Sequence, residues 1–303
     1  MTKENIFTKK GYIQIFAMIA VISWAFAFPL IKIGFDEFAI SSDDNWSKAL
    51  FAGIRFFTAG ILLILFAMLR RLKTDIKSSS DISLLFVFGF VNTALHYFFF
   101  YLGLSYMDGS RSALYDSLST FLLIIFACIF FASDTMSWSK AIGCLIGFSG
   151  ILVISINPSG LSLSFPGDMF MVFNSLCSAF GGILTRIVTK RMNPVYATGL
   201  SLSIGGLVLM VVGFLMGGRL HRITATGLIV LICLILISAV GFALYNTLIL
   251  YNPVGNVAIF NSFIPVLGAL LSCIMLHEAF SYKYIISAIL VTAGVFIVNK
   301  TKS

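Results

Sequence analysis

The side chains able to do chemistry in this chain are few, and most stand alone inside long apolar runs. Asp116 lies in Ser112-Ala113-Leu114-Tyr115-Asp116-Ser117, and Ser119 and Thr120 extend its face on a helix. A carboxylate there could bind a substrate amine or a proton. The competing reading is an interfacial aspartate near a helix start, favoured by the helix dipole. His96 has Asn92 four residues before it and Phe99 and Phe100 just after it. It could relay protons or donate to a carboxylate, or bond a neighbouring helix as a neutral ring. Lys32 is placed to snorkel to an interface. Arg55 lies deeper in its run and could pair with Asp116 or with an anionic substrate group, which sequence alone does not settle. Asn174, Asn246, Asn256 and Asn261 are polar points in otherwise apolar stretches. Amides can bind a substrate carboxylate or carbonyl, and they also serve as interhelical glue. Trp24 and Phe28 share helical spacing, as do Tyr97 and Tyr101, so their rings could line an amphipathic cavity or pack against helices. The candidate substrate-binding set is Trp24, Phe28, Asn92, His96, Tyr101, Asp116, Asn174, Asn246 and Asn261.

Nothing in the sequence signals catalysis. There is no Walker A motif, HExxH, GxSxG or two-metal carboxylate cluster, and His96, His221 and His277 are scattered. Cys128, Cys144, Cys177, Cys233 and Cys273 are odd in number, widely spaced and embedded in apolar runs. They read as small buried hydrophobes. No metal, no cofactor and no enzymatic activity is expected, and no segment has room for a nucleotide-binding domain.

The elements that must position these residues are membrane helices. Of 303 residues, 59% are hydrophobic and only 11% charged, against about a quarter charged in a soluble domain. The net charge of +8 is spread between apolar runs rather than along one face, so it argues for membrane orientation and against nucleic acid. A helix needs about 20 apolar residues to cross the hydrocarbon. Ten runs meet this: Tyr12–Phe35, Lys48–Leu69, Ile82–Met107, Ser112–Ala132, Trp138–Ile156, Asp168–Thr189, Pro194–Gly217, Thr224–Leu250, Val254–Leu276 and Tyr282–Asn299. The first is too long for a signal peptide and lacks an A-x-A-type site, so it reads as a retained span. With a cytoplasmic N-terminus, the inside segments hold thirteen lysines and arginines and the outside segments five. That bias predicts both termini in the cytoplasm. Gly143–Gly147 and Gly213–Gly217 are GxxxG pairs, suited to a scaffold or homodimer contact. Pro29 and Pro265 each remove a backbone hydrogen bond and can kink a span.

Ten spans divide into two fives, and an odd-numbered repeat must enter the membrane in opposite orientations. An offset of 144 residues aligns Ile82–Ser155 with Thr226–Asn299. It pairs Tyr101 with Tyr245, Asp134 with Glu278, Ser137 with Ser281 and Gly150 with Gly294. Asn261 falls opposite Ser117, beside Asp116.

Several short motifs recur in order. Span one has Ser23-Trp24-Ala25, then Phe28, Pro29 and Lys32, and span two carries Arg55-Phe56. Span nine has Phe263-Ile264-Pro265-Val266 and ends in Leu276-His277-Glu278-Ala279-Phe280-Ser281, followed by Ala293-Gly294-Val295. Over nearly the whole chain this resembles the EamA-type branch of the drug/metabolite transporter superfamily. The chain departs from the family at Asp134, where glutamate is usual, and at Phe121, where proline is common. The resemblance implies an all-α integral membrane protein of ten transmembrane helices in two inverted five-helix repeats, residues 1–157 and 158–303. It also implies a bacterial cytoplasmic membrane and a cavity built from spans one, three, four, six, eight and nine.

The expected function is secondary transport by alternating access of a small amphipathic metabolite, amino acids or related compounds first, in the export direction. A multidrug or organic-cation exporter and a non-transporting membrane scaffold are the alternatives. The expected partners are the small-molecule substrate and the lipid bilayer, with proton coupling and a homodimer left open.

Overall fold

The computed structural model describes residues 6–74, 76–157, 160–161, 165–252, 257 and 259–300. These residues are almost wholly helical, as an apolar chain must be when lipid offers its backbone no hydrogen bonds. Eight helices are long and apolar enough to cross a membrane. They are α1 (Lys10–Glu37), α2 (Asn45–Leu69), α3 (Ser79–Tyr106), α4 (Gly109–Phe130), α5 (Trp138–Ser155), α6 (Gly167–Thr189), α7 (Pro194–Leu215) and α8 (Ala225–Tyr251). Two shorter apolar helices follow, α9 (Phe263–Met275) and α10 (Tyr282–Lys300). In the ninth run, expected as a span from Val254, a 3₁₀ turn over Ile259–Ser262 precedes α9. Asn256 lies outside the described residues. Beyond the helices, Ile156–Asn157 pairs with Gly160–Leu161 in a two-residue antiparallel bridge between α5 and α6.

Side chains fix where several helices begin. Asp44 accepts from the Ser47 amide at 3.0 Å to start α2, and Thr224 accepts from the Gly227 amide at 2.9 Å to start α8. Ser78 and Asp81 form a capping box at α3, and Asn193 caps α7 ahead of Pro194. Asp44 also faces His221 Nε2 at 2.9 Å. Burial alone would raise its carboxyl, but the hydrogen bonds from Ser47 and His221 outweigh it and hold Asp44 below the ordinary carboxylate value.

The largest helix–helix contacts join early helices to late ones. α2 lies along α7, α5 along α10, α1 along α8 and α9, and α3 along α6; α4 packs on both α6 and α9. Glycine permits the closest of these. Gly199, Gly206 and Gly213 recur every seven residues on α7 and face α2, where Gly53 and Gly60 have the same spacing. A Cβ on Gly206 would stand 2.8 Å from the Phe56 carbonyl carbon, and one on Gly53 would stand 2.6 Å from the Met210 Cα. Without side chains in the seam the two backbones approach closely and gain dispersion contacts. On the other flank, a Cβ on Gly143 would stand 2.8 Å from the Gly294 carbonyl oxygen.

These contacts bear on two expectations, and the close helix approach read from the GxxxG pairs holds at Gly143 and Gly213. The GxxxG glycine Gly143 packs inside the chain, against α10, so no second copy is needed to explain it. Gly213 belongs to the seven-residue series, whereas Gly217 adopts φ +92° just past the end of α7 and has nothing near its absent Cβ. Pro265 also differs from expectation. It occupies the first turn of α9, where its missing N–H breaks no helical bond, whereas Pro29 does lie within α1.

Candidate functional site

A cavity of about 240 Å³ lies where the helices of both halves of the chain meet. α1 contributes Trp24, Ala27 and Phe28; α2 contributes Arg55; α3 contributes His96, Tyr97 and Phe100; and α4 contributes Asp116. Ser178 of α6, Phe242 of α8 and Ile264 of α9 complete the lining.

His96 in α3 and Asp116 in α4 both sit at irregularities of their helices. In α3, Phe90–Leu95 forms a π-helical segment and His96 follows it directly. Such widened turns recur at functional positions. The His96 Nδ1 lies 3.1 Å from the Asn92 carbonyl oxygen, which can only accept, so Nδ1 carries the proton. The imidazole is stacked on Tyr97 with centroids 4.3 Å apart. α4 is interrupted at Ser117, immediately after Asp116: Ser117 N donates to Leu114 O and Thr120 N donates to Ser117 O, both i→i−3 bonds. Asn174 Nδ2 of α6 donates to Asp116 Oδ1 at 2.9 Å. Asn174 Oδ1 is buried with no partner among the described residues. A carboxylate at a helix break, held by one amide and open to a cavity, can take a cation or a proton from a ligand.

Arg55 is 3% exposed. Its Nε donates to Ser238 Oγ of α8 and its Nη1 to the Tyr101 hydroxyl, each at 3.0 Å. Its guanidinium lies 4.7 Å from the Phe56 ring centroid. Tyr101 is therefore fully buried behind the cavity wall as a support for Arg55, and is not a lining residue. Trp24 packs on Phe242 and Tyr245, and its Nε1 has no acceptor among the described residues. Gly241 makes room for it, since a Cβ there would stand 2.7 Å from that nitrogen.

The structure divides the nine candidates. Trp24, Phe28, His96 and Asp116 line the cavity, and Asn174 reaches it through Asp116. Asn92 lies against Gly181 and offers its carbonyl to His96. Asn246 is buried in α8 away from the lining, and Asn261 Nδ2 donates to the Tyr245 hydroxyl at 3.0 Å. The sequence set lacked Ala27, Arg55, Tyr97, Phe100, Phe242, Ile264 and Ser178. For Ser178 a signal existed: Ala25-Phe26 followed by Lys32 matches Ala179-Phe180 followed by Arg186, which puts Ser178 opposite Trp24.

Ion pairs bracket the cavity at the two ends of the bundle. At one end Lys32 Nζ donates to Met107 O at 2.7 Å and lies 3.9 Å from Glu278 Oε1. The Glu278 carboxylate accepts from the Gly109 and Ser110 amides, at 2.6 and 2.9 Å, at the N-terminus of α4. At the other end Arg186 of α6 pairs with Asp134, and Arg191 lies 3.7 Å from Asp81. No group of three or more metal-ligating side chains occurs among the described residues.

Comparison with known proteins gives the cavity its context. The EamA-like transporter family model matches residues 11–156 and again residues 165–300. The "Uncharacterized transporter YvbV" of Bacillus subtilis is 27% identical over 285 residues, covering 93% of this chain and 90% of that protein. An "Uncharacterized transporter" of Archaeoglobus fulgidus is 25% identical, covering 94% and 97%. The "WAT1-related protein At3g02690, chloroplastic" of Arabidopsis thaliana is 24% identical, covering 82% and 62%. A protein known from a crystal structure shares the fold at a TM-score of 0.69 and 13% identity, covering 97% of this chain and all of that one. With the family model matching twice along almost the entire chain, this multi-pass membrane protein belongs to the EamA-like transporter family and is a transporter, not an enzyme.

Proposed function

We propose that the chain is a secondary transporter of ten spans that exports a small amphipathic metabolite, amino acids or related compounds first, by alternating access. The observation that carries this reading is the central cavity, where Asp116 and His96 stand at helix irregularities among aromatic rings. Its volume of about 240 Å³ is below the range of about 300–1,000 Å³ typical for drug-sized ligands. That favours a metabolite over the bulky substrates of a multidrug exporter. In this reading both termini are cytoplasmic, as the lysine and arginine bias suggests.

The moving parts are two inverted five-helix repeats, residues 1–157 and 158–303. Support comes from the packing, in which exchanging each helix with the one five places away carries the main contacts into one another. α1 on α8 becomes α6 on α3, α1 on α9 becomes α6 on α4, and α2–α7, α4–α9 and α5–α10 map onto themselves. The ion pairs follow the same exchange, Lys32–Glu278 into Arg186–Asp134. One pair would close each end, and rocking the repeats would break them in turn.

The test is flux of labelled amino acids in proteoliposomes, guided by a thermal-shift screen of a metabolite panel. Asp116→Asn and His96→Ala should each reduce flux at matched expression. Unchanged transport in both variants would remove these residues from the mechanism.

A further inference from the structure

Within the transporter reading, the cavity holds two charges that do not neutralise each other. Arg55 is buried and forms no ion pair with any acidic side chain among the described residues. Its hydrogen-bond acceptors are the neutral Ser238 and Tyr101 hydroxyls. A guanidinium keeps its charge and has five N–H donors, so two bonds to neutral oxygens leave both charge and donors to spare. Asp116, on another helix of the same cavity, has one oxygen bonded to Asn174 and forms no ion pair with a basic side chain among the described residues. The rings of Phe56 and Tyr97 stack at 3.8 Å, and His96 stacks on the other side of Tyr97, so a wall of rings lies beside the two charges. An uncompensated charge in an apolar bundle is costly. A ligand carrying a negative and a positive group on one small frame would offset both charges.

We propose that Arg55 binds the anionic end of the substrate and Asp116 the cationic end, so that the site selects a zwitterion over an amine or a carboxylate of the same size. The aromatic rings of Trp24, Phe28, Phe100 and Phe242 then receive the apolar remainder. Tyr101 and Ser238 are positioning residues that hold the guanidinium towards the cavity.

The experiment measures binding in nanodiscs by thermal shift, with flux in proteoliposomes as a second readout. The probes are phenylalanine and leucine, each compared with its decarboxylated amine and its deaminated acid. The expected wild-type result is that a zwitterion binds about 30-fold or more tightly than either singly charged partner, the range expected when one partner of a buried charge pair is missing. Arg55→Gln should bring zwitterion and amine to equal affinity, and Asp116→Asn should do the same for zwitterion and acid. Arg55→Lys should keep part of the preference. Tyr101→Phe, which retains the charge, should weaken the zwitterion without equalising it with the amine. A wild-type protein that binds the amine as tightly as the zwitterion overturns the proposal while leaving the transporter reading intact. So does an Arg55→Gln protein that retains the preference. If Arg55→Gln does not fold, Arg55→Lys with an unaltered preference ratio and Tyr101→Phe with unaltered affinity would together make Arg55 a purely structural post and overturn the proposal. If no amino acid, amine or acid is bound or moved by the wild-type protein, the transporter reading of this cavity falls and the proposal with it.

Discussion

Glu278→Gln tests the two-ended closure most directly. The Glu278 carboxylate accepts two amide hydrogen bonds at the N-terminus of α4 and faces Lys32. A glutamine keeps one oxygen acceptor and loses the other, along with the charge that favours a helix N-terminus. A charge-assisted bond contributes about 1.5–3 kcal/mol and a charge at a helix end about 0.3–1 kcal/mol. Because Lys32 retains Met107 O as an acceptor, we take about 2 kcal/mol as the net loss, felt only while this end is closed. That corresponds to a shift of about 30-fold toward opening at this end. The assay is alkylation of Ala27→Cys, a cavity position, in a background without the five native cysteines, with an impermeant maleimide applied to either face of oriented vesicles. Glu278→Gln should accelerate labelling from the face that carries the α9–α10 loop and slow it from the other. Labelling that is unchanged, or accelerated equally from both faces, would refute the reasoning.

Three further outcomes follow from the structure. Asp134→Asn should act in the reverse sense to Glu278→Gln in the same labelling assay, since Arg186 then loses its partner at the opposite end. Gly206→Ala should destabilise the protein by about 1–3 kcal/mol through overpacking against the α2 backbone. Gly11→Ala, with open space around it, should stabilise it by up to about 1 kcal/mol, and the order of their melting temperatures in detergent decides this. Asp44 is held below the usual carboxylate value, so it contributes stability above its unfolded value that is lost as pH falls through the lower folded value. Asp44→Asn should flatten the fall in thermal stability on acidification below about pH 4, leaving neutral-pH melting otherwise only modestly lowered.

Much of the architecture was legible because hydrocarbon imposes length. The run Asp168–Thr189 lies within one residue of α6, and Ser112–Ala132 lies close to α4. Hydropathy does not distinguish i→i−3 or i→i−5 bonding from i→i−4, so the 3₁₀ turn before α9, the π segment before His96 and the break after Asp116 left no trace in it. Asp116 and His96 stood out because ionisable groups are costly in lipid. Arg55 was as visible but could not be placed, because depth along a helix does not reveal which neighbour faces it. For Asn261 the sequence could not show that its Nδ2 donates to the Tyr245 hydroxyl, because an amide can bond a neighbouring helix as well as a ligand. The GxxxG search likewise caught Gly143 but missed the seven-residue series on α7, whose meaning depends on α2 lying against it.

The glycine seam also constrains how the chain is made. α2 ends at Leu69, and the helix that covers its glycine face does not begin until Pro194. At about 5–20 residues per second, the ribosome needs roughly ten seconds to supply α7. During that interval the glycine face at Gly53 and Gly60 has no α7 to pack against. The order of synthesis therefore leaves the first five helices without their closest partners, and a nascent chain arrested before α7 should remain sensitive to membrane proteolysis. Burial of the glycine face of α2 therefore waits for the second half of the chain.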